Sequence, residues 1–75
     1  MQTTYVGQTK VIVFGGRHFN DCDGAREHVV QAEWAQGVLA APAVTYPNGR
    51  NSHEVAGEVL DKAEDGLIDF LRVTA

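Results

Sequence analysis

Four apolar β-formers, Val11 to Phe14, run directly into Gly15-Gly16 and then Arg17, and Asp21 follows closely behind. These residue types in this order can hold an anion. Paired glycines let the backbone come close to a ligand, and a helix start beyond them supplies unpaired N–H groups and a partial positive charge. A guanidinium at Arg17 can fork onto a phosphate or carboxylate. Asp21 and Asp23 at the same helix start would repel an anion and suit a ribose hydroxyl better. A tight strand-to-helix turn needing positive φ explains the two glycines equally well without any ligand. Arg50-Asn51 would join the same crevice if it lies at the carboxyl edge of the sheet.

The remaining reactive residue types are sparse. His18, His28 and His53 have no metal-ligand spacing, so no metal is expected, and turn or surface roles suit them better. Cys22 beside His18 lacks a third orienting group, and a half-buried structural cysteine is the better reading than a thiolate nucleophile. Trp34 and Tyr46 could stack on a base, although in a chain this small Trp34 is more naturally a core plug or an interface residue. Glu54, Glu58, Asp61 and Asp65 line one side of the last helical segment. Such a face is usually just solvated, and its other use is to dock a basic partner. No paired carboxylates or triad can be assembled, so the sequence leans away from catalysis, and no cofactor is implied.

Composition narrows the classes further. Seventy-five residues give one small domain, with 44% apolar and 21% charged residues, which argues against disorder. Net charge is −4 and the six Lys and Arg are scattered, so a groove tracking a phosphate backbone is not expected. No apolar run approaches a membrane span. The opening "MQTTYVGQTK" has neither a basic nor an apolar signal region, and the single cysteine excludes an internal disulfide. A reducing, cytoplasmic setting is the expectation.

The elements that must position these residues read as follows. "TTYV" and "KVIVF" form either a hairpin or a frayed lead-in with one central strand; the continuous apolar run suits a strand covered on both faces, as in a parallel or mixed sheet. A helix is expected over 21–36, with Asp21 or Asn20 as N-cap and Gly37 as its stop. Ala25, Val29, Ala32 and Leu39 share one of its faces, while Val30 and Trp34 point elsewhere. "AVTY" (43–46) between two prolines reads as a short strand followed by a turn. The last segment carries the clearest signal. Val55, Ala56, Val59, Leu60, Ala63, Leu67, Phe70 and Leu71 fall on one arc at helical spacing, predicting a helix over about 52–72 capped by Asn51 with Glu54. The competing reading breaks that helix at Gly66 and makes "LIDFLRV" a closing strand.

The residues "KVIVFGGRHFND" resemble the opening of the YspA-like proteins of the SLOG (Smf/DprA–LOG) superfamily, Rossmann-like domains implicated in binding nucleotides or their derivatives. The matching positions are Val11–Phe14, Gly15-Gly16-Arg17, Phe19 and Asp21. "AEWAQG" (32–37), "AVTYP" (43–47) and Arg50-Asn51 echo later family elements in order. The family's second glycine-rich loop has no counterpart, so the resemblance implies a reduced version. What it implies for the site is a nucleotide-type ligand held by Gly15, Gly16, Arg17, Asp21, Arg50 and Asn51.

The fold class expected is α/β or α+β in two layers: a small sheet of two or three strands, from residues 4–14 and 43–46, covered by helices 21–36 and 52–72. Exposed strand edges and a small core make a homodimer a reasonable expectation. Two functions remain. One is a non-catalytic module binding a nucleotide-type or other anionic small molecule. The other is a small adaptor or inhibitor covering a surface of a larger protein, as compact phage-encoded anti-defence proteins do, through Trp34 or the acidic residues Glu54, Glu58, Asp61 and Asp65.

Overall fold

A computed structural model describes residues 1–72. Three strands, β1 (Gln2–Val6), β2 (Thr9–Phe14) and β3 (Arg17–Asn20), precede two helices, α1 (Asp23–Ala40) and α2 (Ser52–Leu67), and a single 3-10 turn over Ile68–Phe70. The strands form an antiparallel meander in the order β1-β2-β3. The two-layer α/β expectation therefore holds, with one correction to the sheet. Its third strand comes from "RHFN" directly after the glycine pair, not from "AVTY". α1 is about 27 Å long at 1.5 Å per residue, so it carries the chain away from the sheet and leaves residues 41–51 at the far end. There Thr45 makes only an isolated bridge to Asn51, and Val44 and Ser52 exchange hydrogen bonds of 2.8–2.9 Å.

The apolar run of β2 is the centre of the molecule. Successive strand residues point to opposite faces, and both Val11 and Ile12 are fully buried. Ile12 lies opposite Phe19 of β3, and on this face the two pack with Ala25 and Val29 of α1 and Leu67 of α2, flanked by Phe14 and Phe70. The rest of the core is a seam between the helices, where the buried residues are Ala32 and Ala35 on α1 and Ala56 and Ala63 on α2. Small side chains let the two backbones approach closely, which leaves little apolar volume in the seam itself.

Gly66 takes part in that approach. The His28 ring of α1 lies directly over it, in the space a Cβ would need. His28 also sits 6.1 Å from the Phe70 ring, centroid to centroid, and its Nδ1 is buried with no hydrogen-bond partner among the described residues. Gly66 therefore stays inside the helix, and neither prediction for the end of the chain holds intact. α2 stops at Leu67 rather than 72, and the strand after Gly66 is reduced to Leu71, bridged to Phe19, and the Arg72 N–H, which donates to the His18 carbonyl at 2.9 Å. Val73, the last residue of that alternative strand, lies outside the described residues.

α1 also departs from its expected bounds. It begins at Asp23, after Cys22 at the N-cap, and runs through Gly37 to Ala40. It ends there because Ala41 precedes Pro42 and takes the extended conformation that a following proline favours. Cys22 is exposed, not half-buried.

Candidate functional site

The glycine pair does not lead into a helix. Gly15 and Gly16 both have positive φ, 59° and 76°, and Phe14 pairs with Arg17 across them. That is a two-residue hairpin turn of the mirror-image type, whose twist matches the strands and which demands residues tolerant of φ > 0. The amide-rich helix start expected beside the glycines is displaced by the four residues of β3.

The other residues expected at one crevice are dispersed. Asp21 lies at the opposite end of β3 from the glycine turn. Its carboxylate accepts from Arg26 Nε at 2.5 Å and Nη2 at 2.9 Å, with Lys10 Nζ 3.7 Å away. The hydrogen bonds from Arg26, then the charges of Arg26 and Lys10, hold the Asp21 carboxyl below its ordinary range, and Arg26 is raised in turn. Asp21 is thus a clasp across the β3–α1 junction and not the helix cap. Arg50 and Asn51 sit at the start of α2, about 20 Å along the helix from its last turns. Asn51 caps that helix, its Oδ1 accepting from the Glu54 N–H at 2.9 Å. The capping box is only half formed, because the Glu54 carboxylate turns to Arg50 Nε at 3.9 Å. Arg50 Nη2 meets Glu58 at 2.6 Å, which raises Arg50 and holds Glu58 low. His53 Nε2 approaches the Ala41 carbonyl at 2.7 Å and ties the two helix ends together.

What the fold does assemble is a half-open cleft of about 580 Å³ between the β2–β3 hairpin and the C-terminal half of α2. Phe14, Phe19 and Leu67 give it an apolar floor, with Ile68 at its rim, and Gly15 and Arg17 form one lip. Asp61, Glu64 and Asp65 form the opposite wall. All three carboxylates are exposed, and neither they nor Arg17 join an ion pair among the described residues. Three acids against one base make the cleft anionic. On the other side of the same glycine turn, a shallower groove carries Glu33 and Gln36 of α1. Carboxylates therefore face the hairpin tip from both helices.

No family model, no curated protein and no solved structure matches the chain. Among the described residues no His, Cys, Asp and Glu group together as metal ligands would, and no helix is long and apolar enough to cross a membrane.

The partner-directed residues also separate. Asp61 and Asp65 reach the cleft, Glu58 and Glu54 are engaged by Arg50, and Trp34 is half exposed on a different helix, so it is not a core plug. Sequence reasoning did not place Phe14, Leu67 or Ile68 at a site. The signal available for Ile68 was that it strays from the apolar arc of the last segment, which here puts it on the rim of the cleft.

Proposed function

We infer that this chain is a non-catalytic docking module that covers part of a larger protein by taking a basic segment of it into the cleft between the hairpin and α2. The observation that carries this reading is the cleft itself, an apolar floor beneath three unpaired carboxylates. A lysine or arginine side chain has the complementary form, an aliphatic stem that packs on apolar surface and a cationic head that reaches beyond it. Phe14 and Phe19 add ring surface suited to a guanidinium or ammonium. A nucleotide carries the same negative sign as the wall, and with the glycines in a hairpin turn the amide dipoles of a helix start are no longer aimed at the site.

Local physics supports the same reading. The last turn of α2 holds no basic residue, while Glu64 and Asp65 sit close to the negative end of the helix dipole. Each such carboxylate destabilises a helix by about 0.3–1 kcal/mol. Departures from local optimum of this kind concentrate where a surface serves something other than stability.

Two probes, measured by calorimetry at low and moderate salt, test the proposal: a short Arg/Leu peptide and ATP. The account expects the peptide to bind, to weaken with salt, and to lose affinity when Asp61, Glu64 and Asp65 are replaced by their amides. ATP binding that is lost in Arg17→Ala, with no response to the peptide, would return the nucleotide reading instead.

A further inference from the structure

A second surface, on the opposite side of the molecule from the cleft, stands independently of that function. In a two-residue hairpin the closing pair of residues exchanges both backbone hydrogen bonds, and pairs further along alternate between bonded and non-bonded. The β2–β3 hairpin closes at Phe14 and Arg17, so the next β3 residue, His18, must direct its backbone groups outward. It does, and the His18 carbonyl accepts from the Arg72 N–H at 2.9 Å. The β3 edge is therefore covered by the chain's own Leu71–Arg72.

The same alternation applied to β1 gives a different result. The β1–β2 hairpin closes at Val6 and Thr9 across Gly7-Gln8, so Gln2, Thr4 and Val6 bond inward to β2 while Thr3 and Tyr5 present N–H and C=O groups to the open edge. Nothing in the described residues pairs with them. Natural edges are blunted by lysine, proline, bulges or a covering segment. β1, "QTTYV", has none of these.

The helix beneath this edge packs on α2 through its alanines, but its outer face is unpartnered among the described residues. Met1 N lies 3.5 Å from Glu33 Oε1, which puts α1 on the β1 side of the sheet, as the cleft puts α2 on the β3 side. Val30 and Trp34, one turn apart on α1, lie on the side of the helix opposite its buried alanines, and Val30 is about 60° around the helix from Glu33, which marks the β1 side. Met1, Tyr5, Val30 and Trp34 are 48%, 67%, 57% and 50% exposed, four of the seven large apolar residues at the surface among the described residues.

We propose that the β1 edge and the Val30–Trp34 stripe form one isologous interface with a second copy of this chain. Antiparallel β1–β1′ pairing centred on Thr4 sets Thr3 opposite Tyr5′ and Tyr5 opposite Thr3′, so both outward residues of each copy find partners in the same register. No charged side chain lies in the strand, and self-pairing sets no like charges against each other. A two-fold axis through Thr4, perpendicular to the sheet, keeps both helix layers on one face of a continuous six-stranded sheet and brings the two Val30–Trp34 stripes to that same face, on either side of the axis. The need for such burial is visible in the core, where alanines make up five of the ten buried apolar residues among those described.

The test is sedimentation velocity of the full chain from micromolar to millimolar concentration, with folding followed by circular dichroism. The wild type is expected to reach twice its 8.1 kDa chain mass. Thr4→Lys and Thr4→Glu, each placing like charges face to face across the axis, should each be monomeric, and their mixture should dimerise again. Tyr5→Pro removes an outward donor without touching any β1–β2 hydrogen bond and should also be monomeric, which keeps the test open if a charged variant fails to fold. A wild type that stays monomeric throughout, a dimer that survives these substitutions, or a Lys/Glu mixture that remains monomeric overturns the proposal.

Discussion

The two ends of α2 are built on opposite principles. At its start, charge and polarity are matched: Asn51 caps the helix, Arg50 answers Glu54 and Glu58, and His53 holds the Ala41 carbonyl. Toward its end Asp61, Glu64 and Asp65 stand unpaired over apolar floor. Net charge does not distinguish the two ends, since acids outnumber bases at both. What differs is whether the chain supplies its own counter-charge. The first end is satisfied internally, and the second keeps three carboxylates without a counter-charge among the described residues, which is where the proposed basic partner would dock.

The largest way to break this contrast is through the seam that positions the acidic end. Gly66→Ala should drive a methyl group into the His28 ring and destabilise the fold by about 2 kcal/mol, as overpacked cores do, read as a lower urea midpoint. Combining it with His28→Ala should recover part of that loss, because the two residues share one space. If Gly66→Ala leaves the midpoint unchanged, the ring does not pack there.

Neutralising the acidic end itself should separate binding from stability. Asp61→Asn, Glu64→Gln and Asp65→Asn together should weaken a basic peptide by about tenfold or more at low salt. The same variant should gain about 1 kcal/mol of stability, because two carboxylates leave the negative end of the helix dipole. A loss of stability would mean that these acids are structural.

Acid should act on the matched groups. Asp21 and Glu58 both have folded pKa values below their unfolded ones, chiefly through hydrogen bonds from Arg26 and Arg50. Their contribution is therefore fully present above the unfolded carboxylate range and is lost as pH falls through the lower folded values. Asp21→Asn should lower the urea midpoint at pH 7 and make it less sensitive to acid between about pH 5 and 2. Equal sensitivity in the two proteins would remove the Asp21 clasp from the account.

The smallest effect belongs to the satisfied end. Arg50→Ala frees Glu54 and Glu58 on an exposed surface, where ion pairs contribute little. It should shift the urea midpoint only slightly and leave peptide affinity as it was. A large loss of affinity would make Arg50 part of the binding surface.

Much of the fold was legible where a local pattern decides the outcome. The apolar arc of residues 55–71 gave α2, Asn51 gave its cap, and Val11–Phe14 gave the central strand. "RHFN" was missed because a strand of four residues with only Phe19 turned inward offers almost no periodicity, and Gly15-Gly16 suits a hairpin as well as a strand-to-helix turn. Gly66 was ambiguous because its reason, the His28 ring, lies 38 positions earlier in the chain. The cleft was legible only in pieces. Arg17 and Phe19 were noted with the glycine pair, and Asp61 and Asp65 with the acidic face, but they meet only through the packing of the hairpin against α2, which no local pattern encodes.

The measurement closest to the central claim is an amide chemical-shift map of the chain titrated with the Arg/Leu peptide. The account predicts that Gly15, Arg17, Asp61, Glu64, Asp65 and Ile68 shift together and saturate with one affinity, while Arg50, Asn51 and Glu54 stay still. Shifts centred on Arg50 to Glu58, or spread evenly over every acidic residue, would contradict it.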